Sequence, residues 1–121
     1  MNNYTSKNNN KVTGTKGEVY AREFLEKQGY KILDTNVHFS RNCEIDIIAL
    51  DGNALVFVEV KTRNTEFCGS GFEAITPKKY QNIKTGLFMY LQEHPQYKKF
   101  RIDGISIILR PTLKIEHLKN I

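Results

Sequence analysis

The chain has 121 residues, 40% of them hydrophobic and 26% charged, enough for one domain that buries its own core without disulfide staples. No apolar run approaches membrane-spanning length, and the Asn-rich start lacks the apolar stretch of an export signal, so a cytoplasmic protein with no membrane partner is expected. The formal charge of +5 favours an anionic partner, because lysines and arginines that neutralise phosphates release condensed counterions.

Residues 1–12, with five asparagines in the first ten positions, are expected to form a disordered tail, leaving 13–121 as a single domain. A first helix is expected from Thr15 to Gly29. Thr15 and Glu18 have capping-box spacing, Ala21, Phe24, Leu25 and Gln28 share a face, and Gly29 suits the left-handed stop. A strand from Tyr30 to about Phe39 and a turn at Ser40-Arg41-Asn42 follow. Residues 43–50 (CEIDIIAL) and 55–61 (LVFVEVK) then read as two strands joined at Asp51-Gly52-Asn53-Ala54, a strong hairpin signal. Both are nearly apolar on both faces at their hairpin ends, the pattern of central strands covered on two sides.

After a Gly-containing loop over 64–72, Thr76-Pro77 supplies an N-cap and a proline at the first helical position. The second helix runs to about His94, where Pro95 stops it, and buries Tyr80, Ile83, Leu87, Tyr90 and Leu91. Strands from Arg101 to Leu109 and from Leu113 to Leu118 complete an α/β fold of order α-β-β-β-α-β-β, a mixed sheet flanked by helices. Cys43 and Cys68 lack metal-site spacing and read as free, reduced thiols. His38, His94 and His117 match no catalytic spacing.

Acids are costly in central strands unless partnered. Here Glu44, Asp46 and Glu59 interrupt two apolar strands, and Lys61 follows Glu59 at the same-face spacing of two. A two- or four-residue hairpin loop gives one register, in which paired numbers sum to 105, so Asp46 opposes Glu59 and Glu44 opposes Lys61. A three-residue loop with a bulge would shift it. Opposed side chains start about 5 Å apart, and two carboxylates that close repel unless a proton or a cation lies between them. A divalent, oxygen-seeking ion such as Mg²⁺ suits such a pair, with Lys61 polarising water or stabilising charge on a phosphorane-like transition state. The plainer alternative is a Glu44–Lys61 ion pair with Asp46 and Glu59 exposed at a sheet end. For Glu18 the plain role is helix capping.

Asp46, followed after twelve residues by Glu59-Val60-Lys61 on consecutive hairpin strands, resembles the PD-(D/E)xK signature of restriction-endonuclease-like nucleases. The chain resembles more closely the YraN family of small proteins related to archaeal Holliday-junction resolvases. That likeness covers about residues 14–109: Gly17-Glu18, Ala21, Leu25, Gly29-Tyr30, Asn36, Glu44-Ile45-Asp46-Ile47-Ile48, Val56-Phe57-Val58-Glu59-Val60-Lys61, Arg63, Gly69, Lys79, and Arg101 with Asp103. Cys43 stands where the family usually has glycine, and Ile102 where it usually has phenylalanine. The resemblance implies a restriction-endonuclease-like fold and a nucleic-acid partner, DNA in the first place and branched DNA among its forms. It implies Mg²⁺ or Mn²⁺ on Asp46, Glu59 and the Val60 carbonyl, Lys61 activating water, Glu18 near the metal, and Arg63 and Lys79 on phosphates. Arg63 capping a strand and Lys79 decorating a helix are the plainer roles. Resolvase relatives act as dimers, so a homodimer is one arrangement it raises. A nucleic-acid-binding module of the same fold without cleavage is the competing function.

Overall fold

In the computed structural model, residues 8–41, 43–65 and 76–121 are described, with side chains from Thr15 onward. The elements are α1 (Asn8–Lys27), β1 (Lys31–Ser40), β2 (Cys43–Asp51), β3 (Ala54–Thr65), α2 (Pro77–Glu93), β4 (Lys99–Arg110) and β5 (Lys114–Leu118), in the expected order. The sheet runs β1-β2-β3-β4-β5, antiparallel except for the parallel β3–β4 pair, which α2 connects. It is therefore mixed, with β2 and β3 in its interior.

Gly29, at φ 94°, ends α1. The Tyr30 N–H bonds back to the Leu25 carbonyl and the Gly29 N–H to the Glu26 carbonyl, so the last carbonyls of α1 are satisfied. The start of α1 differs from expectation. Helix begins at Asn8, so Thr15 lies inside it and is no N-cap, and the part of the expected tail that is described, 8–12, has helical backbone. Residues 1–7 lie outside the described residues, as do Asn42, most of the loop expected over 64–72, Cys68 and Gly69. Gln28, expected on the packed face of α1, is exposed.

Each face of the sheet carries one apolar cluster. On the α1 side, Ala21 and Leu25 pack on Ile47, Ala49, Val56, Val58, Ile105 and Ile107. On the α2 side, Ile83 and Leu87 pack on Cys43, Ile45, Ile48, Leu55 and Phe57, with Tyr80, Tyr90 and Leu91 partly buried around them. Phe57 stacks on Phe39 with centroids 5.7 Å apart and meets Tyr90 edge-on at 5.8 Å. Filling both faces in this way requires the two-sided apolar runs that β2 and β3 carry. Among the described residues no helix is long and apolar enough to cross a membrane.

A polar cluster sits near the hairpin end of the sheet. Asp103, with no exposure, accepts hydrogen bonds from Arg101 Nε (2.9 Å), Arg101 Nη2 (3.2 Å), His117 Nε2 (2.8 Å) and the Asn120 N–H (3.0 Å). Arg101 also pairs with Asp51 at 2.9 Å and donates to the Tyr30 hydroxyl.

Candidate functional site

The β2–β3 hairpin turns at Gly52, whose φ of 62° favours a residue without Cβ. Five pairs follow in the expected register, from Asp51↔Ala54 through Leu50↔Leu55 to Ile47↔Val58. The ladder stops there, one step short of Asp46 and Glu59. Instead of bonding to β2 backbone, the Val60 N–H donates to Asp46 Oδ2 at 2.8 Å. The strands thus fork where the two acids lie, and the Asp46 carboxylate reaches into the fork.

A change of face in β2 accompanies the fork. Ile45 belongs to the α2-side cluster and Ile47 to the α1-side cluster, although strand periodicity would put residues two apart on one face. Asn36, between the β1 residues that pair with Ile47 and Ile45, has φ 53°, a left-handed conformation that asparagine tolerates better than most residues. β2 turns over at this level, with Asp46 at the pivot.

Asp46 and Glu59 line one cavity of about 270 Å³ on the α2 side, together with Glu44, Lys79, Asn82 and Ile83, and with His38, Arg41 and Cys43 completing its wall. The close approach of α2 builds this wall. A Cβ on Gly86 would stand 2.8 Å from Cys43 Sγ, so only glycine lets the helix lie this near β2, and Cys43 Sγ donates to the Asn82 carbonyl at 2.9 Å. Burial pushes the Cys43 thiol up, so it rests as a protonated packing group. Thr76 caps α2 as expected, its hydroxyl accepting from the Lys79 N–H at 3.1 Å.

Glu59 is 5% exposed, and its Oε2 pairs with the Lys79 ammonium. Burial and the neighbouring Glu59 charge push the Asp46 carboxyl up to about 7, against the opposing pull of the Val60 N–H and Lys79. One lysine therefore does not offset two largely buried carboxylates. Burial, with Arg63 and Lys79 nearby, holds the Lys61 ammonium below its usual range, while Glu59 and Asp46 pull the other way. Lys61 thus feels both acids although it does not line the cavity. Arg63, two residues on along β3, has a buried Nε without a hydrogen-bond partner among the described residues.

The expected residues are brought together unevenly. Asp46 and Glu59 meet at one cavity. Glu44 does not oppose Lys61; it pairs with His38 of β1 at 3.6 Å on the exposed rim. Glu18, unlike Glu44, does not line the cavity. Its Oε1 accepts from Asn36 Nδ2 at 3.0 Å, which places it one strand away from Asp46. Lys79, expected on phosphate or on an exposed helix face, holds Glu59 instead. That contact depends on how α2 docks, and nothing in the local sequence announces it.

Among the described residues no group of three or more His, Cys, Asp and Glu side chains is arranged to hold a metal ion. A pair of carboxylates still suits Mg²⁺ or Mn²⁺, since small hard cations bind through one or two carboxylates and keep waters for the remaining positions. The unbalanced charge of Asp46 and Glu59 is the feature such an ion would relieve.

A family model described as "Uncharacterised protein family UPF0102" matches residues 17–107. Among the similar proteins, a UPF0102 protein of Chlorobaculum parvum is 50% identical over 115 residues, covering 88% of each chain. One of Syntrophomonas wolfei is 39% identical over 113 residues, covering 92% of this chain and 97% of its own. One of Dictyoglomus thermophilum is 41% identical over 108 residues, covering 88% of this chain and 91% of its own. This chain belongs to the UPF0102 (YraN) family.

Proposed function

We propose that this protein is a divalent-metal-dependent phosphodiester hydrolase of the restriction-endonuclease-like type, an endonuclease acting on nucleic acid, with DNA as the first substrate class. The observation that supports this most directly is the pair Asp46 and Glu59 at the wall of one cavity, two largely buried acids of which Glu59 is paired with Lys79 and Asp46 has no ion pair among the described residues. The net charge of +5 supports a polyanionic partner.

Asp46 and Glu59 would hold Mg²⁺ or Mn²⁺. The Val60 carbonyl would join them, since in a strand it leaves the backbone on the same side as the N–H that meets Asp46. A bound ion supplies Lewis-acid polarisation of a phosphate oxygen and lowers the pKa of its water. Lys61, with its ammonium held below the usual range, would orient the attacking water and stabilise negative charge gathering on phosphorus. Arg63, half-buried two residues beyond Lys61 on the same strand, would offer its guanidinium charge to a phosphate of the bound strand. Glu18 would act through Asn36 to fix the turn-over of β2 rather than as a ligand.

The test is cleavage of branched, single-stranded and duplex DNA, and of RNA, with Mg²⁺ or Mn²⁺. Asp46→Asn and Lys61→Met are each expected to lower the rate at least about a hundredfold. Wild type that matches Asp46→Asn on every substrate would overturn the reading. A binding module without cleavage is the alternative, favoured by the Lys79–Glu59 ion pair because it ties up one acid. Such a module keeps its nucleic-acid affinity in chelator and cuts nothing.

A further inference from the structure

Lys79 holds a position at the site that the function above leaves unexplained. It lies in the first turn of α2, three residues after the cap Thr76. A helix N-terminus carries partial positive charge and disfavours a cation, so the helix does not hold the ammonium there. What holds it is Glu59. The two partners differ in freedom. Glu59 is 5% exposed on an interior strand, whereas the Lys79 side chain is 41% exposed and can swing into water without breaking any backbone bond.

We infer that Lys79 is a built-in counter-cation that occupies Glu59 in the metal-free protein and is displaced when a divalent ion binds. This rests on the metal reading above and deepens it. A single positive charge satisfies one of two neighbouring carboxylates, and a divalent ion satisfies both. The exchange therefore runs toward the metal, and Lys79 sets how much metal is needed. In exchange for a looser grip on the ion, Glu59 stays partnered while the site is empty. The released ammonium stays on the rim of the cavity, on a stem long enough to find another anion.

Calorimetric titration of Mn²⁺ into the free protein, without nucleic acid, tests the competition directly. Lys79→Met is expected to bind Mn²⁺ at least about fivefold more tightly than wild type, because a partly exposed ion pair no longer competes. Lys78→Met, which removes the same charge from the adjacent exposed position, is expected to change affinity less than about twofold. A second measurement reads the other partner. Mg²⁺ at saturation is expected to raise the rate at which reductive methylation modifies Lys79, leaving Lys78 unchanged.

Equal Mn²⁺ affinity in wild type and Lys79→Met, with no change in Lys79 reactivity, overturns the role of Lys79 and leaves the metal site standing. Equal tightening in Lys79→Met and Lys78→Met also overturns it, since general charge then explains the effect. No Mn²⁺ binding in any variant overturns both readings.

Discussion

Asp103 and Asp46 are both carboxylates set among apolar strands, and their surroundings differ in kind. Asp103 receives four hydrogen bonds over its two oxygens, from Arg101, His117 and the Asn120 N–H, and Arg101 ties the cluster onward to Asp51. Asp46, among the described residues, accepts one, from Val60, while a second acid presses on it. A buried charge with every lone pair used is part of the architecture. A largely buried charge left short of partners, beside another like it and facing a cavity, is the kind of feature from which a binding site is inferred. The difference separates a cluster whose charge is answered by the protein from one whose charge is not, and the proposed function builds on that contrast.

The comparison is broken most severely at Asp103. Asp103→Asn removes the charge that Arg101 and His117 share, and is expected to cost about 3 kcal/mol or more in urea unfolding. A loss under about 1 kcal/mol would show that the cluster is not structural. Asp46→Asn is expected to act with the opposite sign. An acid whose folded pKa is raised contributes its stability in full below its ordinary value near 4, and loses it as pH climbs through about 7. In chelator, then, Asp46→Asn gains on wild type by about 2 kcal/mol between pH 5 and pH 8, measured by urea unfolding at each pH. Glu44→Gln, on the exposed rim with His38, is the control and is expected to stay within about 0.5 kcal/mol of wild type throughout. A gap between Asp46→Asn and wild type that is the same at both pH values would mean that neither burial nor the Glu59 charge raises the Asp46 carboxyl.

What could be read in advance and what could not divide along physical lines. Gly52 and the apolar runs on either side of it carry local information, so the hairpin and its register are legible in the sequence, as are the Thr76 cap and the stop at Gly29. The fork is not legible. A strict period of two carries Glu44 opposite Lys61, whereas the ladder ends at Ile47↔Val58 and the strand turns over at Asp46 through a conformation of Asn36 on a neighbouring strand. The start of α1 was hidden for a different reason. Asparagine, threonine and glycine are weak helix formers, and the Thr15–Glu18 spacing imitates a cap, yet the helix continues back to Asn8. Long-range partners were hidden altogether. His117 looked isolated because only the β4–β5 pairing carries it to Asp103, and Lys79 meets Glu59 only once α2 has docked.

Anomalous scattering from a crystal soaked in Mn²⁺ probes the shared-cation claim without recourse to an activity assay. A single peak bridging the carboxylates of Asp46 and Glu59 is the expected result. A map with no peak there at saturating Mn²⁺, or with the ion bound to Glu44 and His38 on the rim instead, would contradict it.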